Sequence, residues 1–243
     1  MTSPDMGMGT DVVVLSPHVD DGVFSLGAWI ARATRAGTRV RVVTVLAGDP
    51  SSARPAGPWD RKGGFRTAGE AARARRGEER RACALLGATP VWLHYGDEQY
   101  GRGAGDEEIW SDVVASVEGA DTILAPGCPL EHEDHAWLTR LVLERPIPGA
   151  RIGFYLEQPH AMWRWARMPW TPPVIESSTG RRLAWRHLIS GREAVRHKRA
   201  AYRAYRSQFR AARPLLSWRF LLYEGWSGRE FAAWMDPSAR SGA

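Results

Sequence analysis

The chain has 243 residues, of which 44% are hydrophobic and 25% are charged, as is typical of a soluble globular protein with one sizeable core. Its formal net charge is +6, but the arginines are spread over helical segments with glutamates among them, and no nucleic-acid-binding motif accompanies them. We therefore expect no nucleic-acid partner. No apolar stretch is long enough to cross a bilayer, so we expect no membrane partner either.

The chain contains only two cysteines, Cys83 and Cys128, which are far apart and cannot form a disulfide framework. This usage suits a reducing compartment, and we predict a cytoplasmic protein. Residues 1–10 have neither the basic nor the apolar region of a signal peptide, and we predict that they form a flexible tail.

Strand and helix patterns alternate along the first two-thirds of the chain. In chain order they predict a strand at 11–16, a helix at 23–36, a strand at 39–46, a helix at 68–86, a strand at 90–94, a helix at 106–117, a strand at 121–126, a helix at 133–143 and a strand at 151–157. Such alternation predicts a single α/β domain over 11–235, with a mostly parallel sheet and helices on both faces.

Three further segments interrupt or follow this alternation. Residues 48–64 are rich in proline and glycine, and a loop of this length is expected to form a lid or a wall of a site. Residues 158–190 form a tryptophan-rich insertion, which we expect on the substrate side, either as a sugar-stacking platform or as cover for the sheet edge. A basic helix is predicted at 191–208, a last strand at 219–223 and a tail at 236–243.

Two clusters of histidines and acids follow predicted strands. Residues 17–21 read Pro-His-Val-Asp-Asp after the first strand, and residues 131–135 read Glu-His-Glu-Asp-His after the strand at 121–126. Because the carboxyl ends of parallel strands meet at one edge of the sheet, the two clusters can face each other across a crevice. His18, one of the two aspartates and one of the two histidines could then bind a divalent metal and leave a position open for water.

A plainer interpretation of these acids is helix capping. Asp20, Asp21 and Asp134 all precede or begin predicted helices, where carboxylates stabilise the exposed N–H groups and the helix dipole. Two such clusters directly after two strands favour the metal site.

The clusters resemble the signatures of the PIG-L, or LmbE-like, family of zinc-dependent N-acetylglucosaminyl deacetylases. Residues 17–21 are similar to the family's Pro-His-x-Asp-Asp, and residues 132–135 to its His-x-Asp-His. Residues 75–87 resemble the family's Arg-x-x-Glu helix, and residues 155–159 and 205–208 resemble late features of bacterial members. The resemblance extends from about residue 11 to residue 208.

This resemblance implies a metal site and a proton acceptor. His18, Asp21 and His135 would bind zinc, although another divalent metal is compatible with the same ligands. Asp20 would be the general base that takes a proton from the attacking water.

The resemblance also implies groups that contact the substrate. His132 would stabilise the oxyanion or protonate the leaving amine, and Arg75 and Asp97 would contact the sugar. The chain departs from the family pattern at Val19, Gly22 and Leu130. The family commonly has proline at the first of these positions and glutamate at the second, and some members have tyrosine at the third. The general-acid role of that tyrosine therefore has no counterpart here, and His132 would act alone or with another group.

We therefore predict a Rossmann-like α/β hydrolase that removes an N-acetyl or other N-acyl group from an amino sugar or a sugar conjugate. It would act in natural-product or glycan biosynthesis on a small molecule, and a homo-oligomer is left open. The alternatives are a metal-dependent amidase for a non-sugar N-acyl metabolite, a metal-binding protein without catalytic activity and, last, a basic nucleic-acid-binding module.

Overall fold

The computed structural model describes residues 7–161, 170–188, 190–212 and 229–240, and within these ranges seven strands form one mixed sheet. The strands are β1 (Asp11–Ser16), β2 (Arg39–Thr44), β3 (Thr89–Trp92), β4 (Thr122–Cys128), β5 (Arg151–Leu156), β6 (Arg181–His187) and β7 (Phe231–Arg240). Their order across the sheet is β3-β2-β1-β4-β5-β7-β6. The first five strands are parallel, and β7 is antiparallel to both β5 and β6.

The helices of the described ranges have bounds close to those predicted where the pattern was periodic. They are α1 (Asp21–Arg35), α2 (Pro58–Lys62), α3 (Ala68–Leu86), α4 (Asp106–Val117), α5 (Glu133–Glu144), α6 (Pro173–Thr179), α7 (Gly191–Tyr202) and α8 (Arg206–Ala211). The bounds of α3 follow from its caps, because the Thr67 hydroxyl accepts the Glu70 N–H at 3.1 Å and Gly87 has the left-handed φ of 74°. None of these helices is long and apolar enough to cross a membrane.

Alternate residues of β1 pack on opposite faces of the sheet. Val12 and Val14 belong to a core formed with α1, α3 and α7, whereas Val13 and Leu15 belong to a core formed with α4 and α5. All six residues of the strand are buried, as expected of a central parallel strand covered on both sides. The predicted single-domain α/β fold with helices on both faces is confirmed.

Several elements of the structure differ from the prediction. The loop at 48–64 contains the short helix α2, and the basic helix predicted at 191–208 is two helices, α7 and α8. The tryptophan-rich insertion contributes α6 and β6. β6 was missed because only Leu183 of the strand is buried, which leaves no alternating apolar pattern to recognise. The strand predicted at 219–223 lies outside the described residues, and the observed last strand is β7.

Both ends of the domain extend into the segments expected to be tails. Met8 is buried, and its carbonyl accepts the Thr122 hydroxyl at 2.7 Å, which attaches the N-terminal segment to β4. At the other end β7 continues to Arg240. We therefore infer that the domain includes Met8 at one end and β7 at the other.

A buried ion pair joins α7 to the beginning of β7 and to α1. The Lys198 Nζ lies 2.6 Å from the Glu230 Oε1, and both side chains are fully buried. The Glu230 carboxylate also accepts the backbone N–H groups of Ala28 and Trp29 at 2.8 and 2.6 Å. A buried carboxylate with a cation and two donors is well compensated, so this contact holds α1 against the sheet.

Candidate active site

The two histidine-acid clusters meet where the order of the strands reverses. β1 and β4 are neighbours, but the chain continues from β1 towards β2 on one side and from β4 towards β5 on the other. Such a reversal opens a crevice at the carboxyl ends of the strands. Ser16 shapes the turn after β1, because its hydroxyl donates to the His18 carbonyl at 2.6 Å and accepts the Gly22 N–H at 2.9 Å.

Three side-chain atoms in the crevice lie at the mutual distances of metal ligands. The His18 Nδ1 is 3.2 Å from the Asp21 Oδ2 and 3.2 Å from the His135 Nε2. The His135 Nε2 is 3.1 Å from the Asp21 Oδ2. Donors about 2.0–2.1 Å from a tetrahedral zinc ion are separated by roughly 3.3 Å, so a set of two nitrogens and one carboxylate oxygen with this spacing fits zinc.

Each of the two histidines is oriented by a buried carboxylate on its other ring nitrogen. The His18 Nε2 lies 3.0 Å from the Asp134 Oδ2, and the His135 Nδ1 lies 3.2 Å from the Glu157 Oε1. A neutral ring would keep its proton on the nitrogen beside the carboxylate, so that on metal binding the lone pairs of the His18 Nδ1 and the His135 Nε2 would face the cluster. The carboxylate–histidine arrangement is typical of zinc ligands in proteins.

The charges around the cluster favour a cation. Burial by itself would lower the pKa of His18, but its hydrogen bonds with Asp134 and Asp21 outweigh burial and raise the pKa to about 9. Burial opposes ionisation of Asp21 as well, yet His135 and His18 hold the pKa of that carboxyl well below its usual range. The carboxylates that favour protonated histidines would favour a metal ion for the same electrostatic reason.

His132 offers an alternative third ligand, but its hydrogen bond argues against that role. One of its ring nitrogens lies within 4.8 Å of a ring nitrogen of His18 and of His135, so the three histidines are also a candidate metal group. The His132 Nδ1, however, accepts the Asp134 N–H at 3.2 Å and caps α5. Burial, followed by His18 and His135, lowers the pKa of His132, so the ring is neutral and carries its proton on Nε2. In that tautomer the His132 Nε2 is a hydrogen-bond donor, and it lies 3.7 Å from the Glu98 Oε1.

Asp20 has an unusual backbone conformation that a buried glutamate supports. Its φ is 121°, a region that side chains other than glycine rarely adopt and that costs about 1–3 kcal/mol. The Asp20 N–H donates to the Glu79 carboxylate, which also accepts the Thr44 hydroxyl and the Trp92 indole N–H. Burial raises the pKa of Glu79 to about 7. Burial and the neighbouring Asp21 raise the pKa of Asp20 well above its usual range, which suits a group that takes up a proton.

The two predicted sugar contacts are already engaged within the protein. Arg75 forms an ion pair with the buried Asp60 of α2, and Asp60 also accepts the Tyr100 hydroxyl at 2.6 Å. Asp97 accepts the backbone and side-chain N–H groups of Gln99, both at 3.0 Å. Asp60 therefore determines where the guanidinium lies, although no sequence pattern indicated it.

All seven predicted site residues line one cavity of about 600 Å³: His18, Asp20, Asp21, Arg75, Asp97, His132 and His135. The loop at 48–64 contributes Asp49, Ser52, Arg54 and Trp59 to the lining, so the prediction that it forms a site wall is confirmed. Within the tryptophan-rich insertion, Trp163 and Trp165 lie outside the described residues. Trp170 packs against Trp185 and Phe231 and does not line the described cavity.

Asp134, Glu157 and Glu79 were not predicted as site residues. From the sequence Asp134 is interpreted as a helix cap, although it lies inside the second motif. Glu157 directly follows β5, the neighbour of β4, so the rule that found the two clusters could have indicated it. Glu79 lies within α3 and had no local signal.

The structure also explains one departure from the family pattern. A Cβ at Gly22 would lie 3.0 Å from the Val14 Cγ1 and 3.4 Å from the Ser16 side chain. The turn after β1 is therefore tightly packed at this position, and a larger residue would displace the Val14 and Ser16 side chains slightly.

We predict that Asp134→Asn lowers the affinity for zinc about 10- to 100-fold, because the neutral amide no longer raises the basicity of His18. The measurement is a competition titration of the metal-free protein against a chelator. Glu133→Gln, in the same turn but exposed, is the matched control and should bind zinc as the wild type does. Equal affinities of Asp134→Asn and wild type would contradict the role of Asp134.

The fold and the crevice define an α/β protein with a candidate metal site at the switch point of a mostly parallel sheet. Residues 13–145 match the family described as PIG-L, GlcNAc-PI de-N-acetylase. The chain belongs to this family of deacetylases, as its motifs predicted.

Solved structures with the same fold cover nearly the whole chain. The A40926 pseudoaglycone deacetylase Dbv21 is 24% identical with a TM-score of 0.75, and the alignment covers 96% of this chain and 99% of Dbv21. A triple mutant of a deacetylase in the teicoplanin biosynthetic pathway is 22% identical with a TM-score of 0.76, covering 95% and 100%. The N,N'-diacetylchitobiose deacetylase of Pyrococcus horikoshii is 19% identical with a TM-score of 0.56, covering 93% and 83%. A search of curated proteins found no match.

Proposed function

We propose that this enzyme, an amide hydrolase of the PIG-L family, removes the N-acetyl group from an amino sugar that is part of a larger conjugate. The observation that carries the proposal is the convergence of His18, Asp21 and His135 beside the buried carboxyl of Asp20. The family supports deacetylation, and the neighbours that act on a pseudoaglycone, in teicoplanin biosynthesis and on diacetylchitobiose support a sugar conjugate as substrate.

The proposed metal is zinc, held by the His18 Nδ1, the Asp21 Oδ2 and the His135 Nε2. When bound there, zinc would lower the pKa of a water towards 7 and polarise the amide carbonyl. The mixed nitrogen and oxygen donors and their close spacing support zinc over magnesium or calcium, which prefer oxygen ligands.

Asp20 is proposed to move the proton. As a carboxylate it takes a proton from the attacking water while the water oxygen bonds to the carbonyl carbon. As the carbon–nitrogen bond breaks, the same proton is passed to the amine that leaves. The raised pKa of Asp20 supports the first step, because a carboxylate with a high pKa accepts a proton more readily than an ordinary one.

His132 is proposed to stabilise the carbonyl oxygen. Its Nε2–H would donate to the negative charge that develops there. A neutral ring is sufficient for this role, so a protonated His132 is not required. The hydrogen bond from the Asp134 N–H to the His132 Nδ1 favours the neutral ring. Arg75, held by Asp60, and Asp97 would contact sugar hydroxyls.

The protein is further proposed to be cytoplasmic, because its low cysteine count suits a reducing compartment.

The test is an acetate-release assay with metal-free and zinc-loaded protein. We expect the loaded protein to release acetate from N-acetylglucosamine conjugates, and the metal-free protein to regain this activity when zinc is added. Cleavage of only non-sugar N-acyl compounds would favour the amidase alternative. Zinc binding without cleavage of any N-acyl compound would favour an inactive metal-binding protein.

A further inference from the structure

Trp59 is a large apolar side chain that stays exposed inside the active-site cavity. Among the described residues, Trp59, Leu85 and Trp170 are the exposed large hydrophobics, with 37%, 43% and 39% of their surface accessible. Only Trp59 of these three lines the cavity that holds the histidine cluster. Its exposure therefore coincides with the place where a substrate would bind.

The Trp59 ring is held in one orientation. Its indole N–H donates to the Gln208 Oε1 at 2.8 Å, and its backbone N–H donates to the Gln99 Oε1 at 2.8 Å. Gln208 also contacts the Val19 carbonyl at 3.4 Å, directly before Asp20. An exposed ring that is fixed in this way loses little conformational entropy when a ligand covers it.

The groups that contact Trp59 itself are polar, namely Gln208, Gln99 and Lys62, whose Nζ lies 5.8 Å from the ring centroid, but apolar side chains line the same cavity. Phe209, which follows Gln208 in α8, and Phe24 of α1 line the same cavity, with their ring centroids 6.2 Å apart. The polar lining residues Asp97 and Arg102 belong instead to the loop between β3 and α4. A cavity of about 600 Å³ with both kinds of lining suits an amphipathic ligand larger than one sugar ring.

We propose that Trp59, with Phe209 and Phe24, binds an apolar group that is attached to the amino sugar, and that it thereby selects the substrate. The group is either the aglycone of a glycoside or an acyl chain longer than acetyl. This inference rests on the proposed function, because it takes the reacting amide to lie at the histidine cluster.

The experiment compares three probes: methyl N-acetylglucosaminide, 4-nitrophenyl N-acetylglucosaminide and methyl N-octanoylglucosaminide. For Trp59→Ala, the ratio of kcat/KM between an apolar probe and the methyl N-acetyl probe should fall about tenfold, mainly through KM. Trp59→Phe should keep most of that ratio, because phenylalanine retains an aromatic face. Trp170→Ala, which removes an equally exposed tryptophan outside the cavity, should leave the ratios unchanged.

The three probes separate the possible results. A fall confined to the 4-nitrophenyl probe identifies an aglycone surface, and a fall confined to the octanoyl probe identifies an acyl surface. Unchanged ratios in Trp59→Ala, or the same change in Trp170→Ala, would overturn the inference. If the wild type cleaves none of the probes, the proposed function fails, and calorimetric binding of the same probes still tests Trp59. Weaker binding of an apolar probe by Trp59→Ala would then support the surface, and equal binding would refute it.

Discussion

Replacement of His135 by alanine is expected to abolish zinc binding and hydrolysis together. The His135 Nε2 lies 3.1–3.2 Å from the other two proposed donors, and the ring is buried against Glu157. Loss of a carboxylate that only supports a ligand lowers metal affinity about 10- to 100-fold. Loss of the ligand itself should therefore lower the zinc affinity by more than this. The measurement is the zinc content after gel filtration, together with acetate release at saturating zinc.

Two further variants decide which residue is the third ligand. If Asp21 is the ligand, Asp21→Ala should lose zinc and His132→Ala should keep it, since the His132 Nδ1 accepts the Asp134 N–H. The opposite pattern would establish the group of three histidines as the metal site and remove Asp21 from it. His197→Ala on α7, outside the cavity lining, controls for the general effect of removing a histidine. Zinc binding by His135→Ala at the wild-type level would refute both sets.

Asp20→Asn is expected to keep zinc at the wild-type level and to lose turnover by about 10²- to 10⁴-fold, the usual contribution of a general base. Asparagine matches the shape of aspartate and tolerates positive φ better than most residues, so the turn with φ of 121° should survive. The measurement is kcat with substrate in excess, alongside the metal content. Turnover near the wild-type level would remove Asp20 as the base.

The pH profile gives an independent readout of Asp20. A base must be deprotonated, so kcat/KM of the wild type should fall as the pH drops through the pKa of Asp20, which burial and Asp21 raise. In Asp20→Asn this acidic limb should disappear from the residual activity. Asp49→Asn is the matched control, because Asp49 lines the same cavity but its carboxylate accepts the Ser51 N–H and hydroxyl and has no proposed role in proton transfer. It should keep both the rate and the acidic limb.

The sequence by itself determined the fold class and most of the first five strands, because the signals are local. The buried run of β1 reveals a central strand, and the caps Thr67 and Gly87 bound α3. The positions of the two motifs, each at the carboxyl end of a strand, were enough to predict that they meet at one crevice. The resemblance to the family then implied different roles for the two neighbours, Asp21 as a metal ligand and Asp20 as the base. Composition and spacing alone do not distinguish them.

Only the tertiary structure decided which groups surround the motifs. Asp134 looks like a helix-capping acid from its local sequence, but it contacts His18 from 116 positions away. Glu79 reaches the Asp20 N–H from the middle of a helix, and Trp59 rather than Trp170 lines the cavity. Strand order and the connections between strands bring such partners together. Hydrophobic periodicity and capping, in contrast, give information only about neighbours along the chain. For that reason the sequence could propose metal ligands within its two motifs, whereas it gave no indication of the carboxylates and the aromatic ring around them.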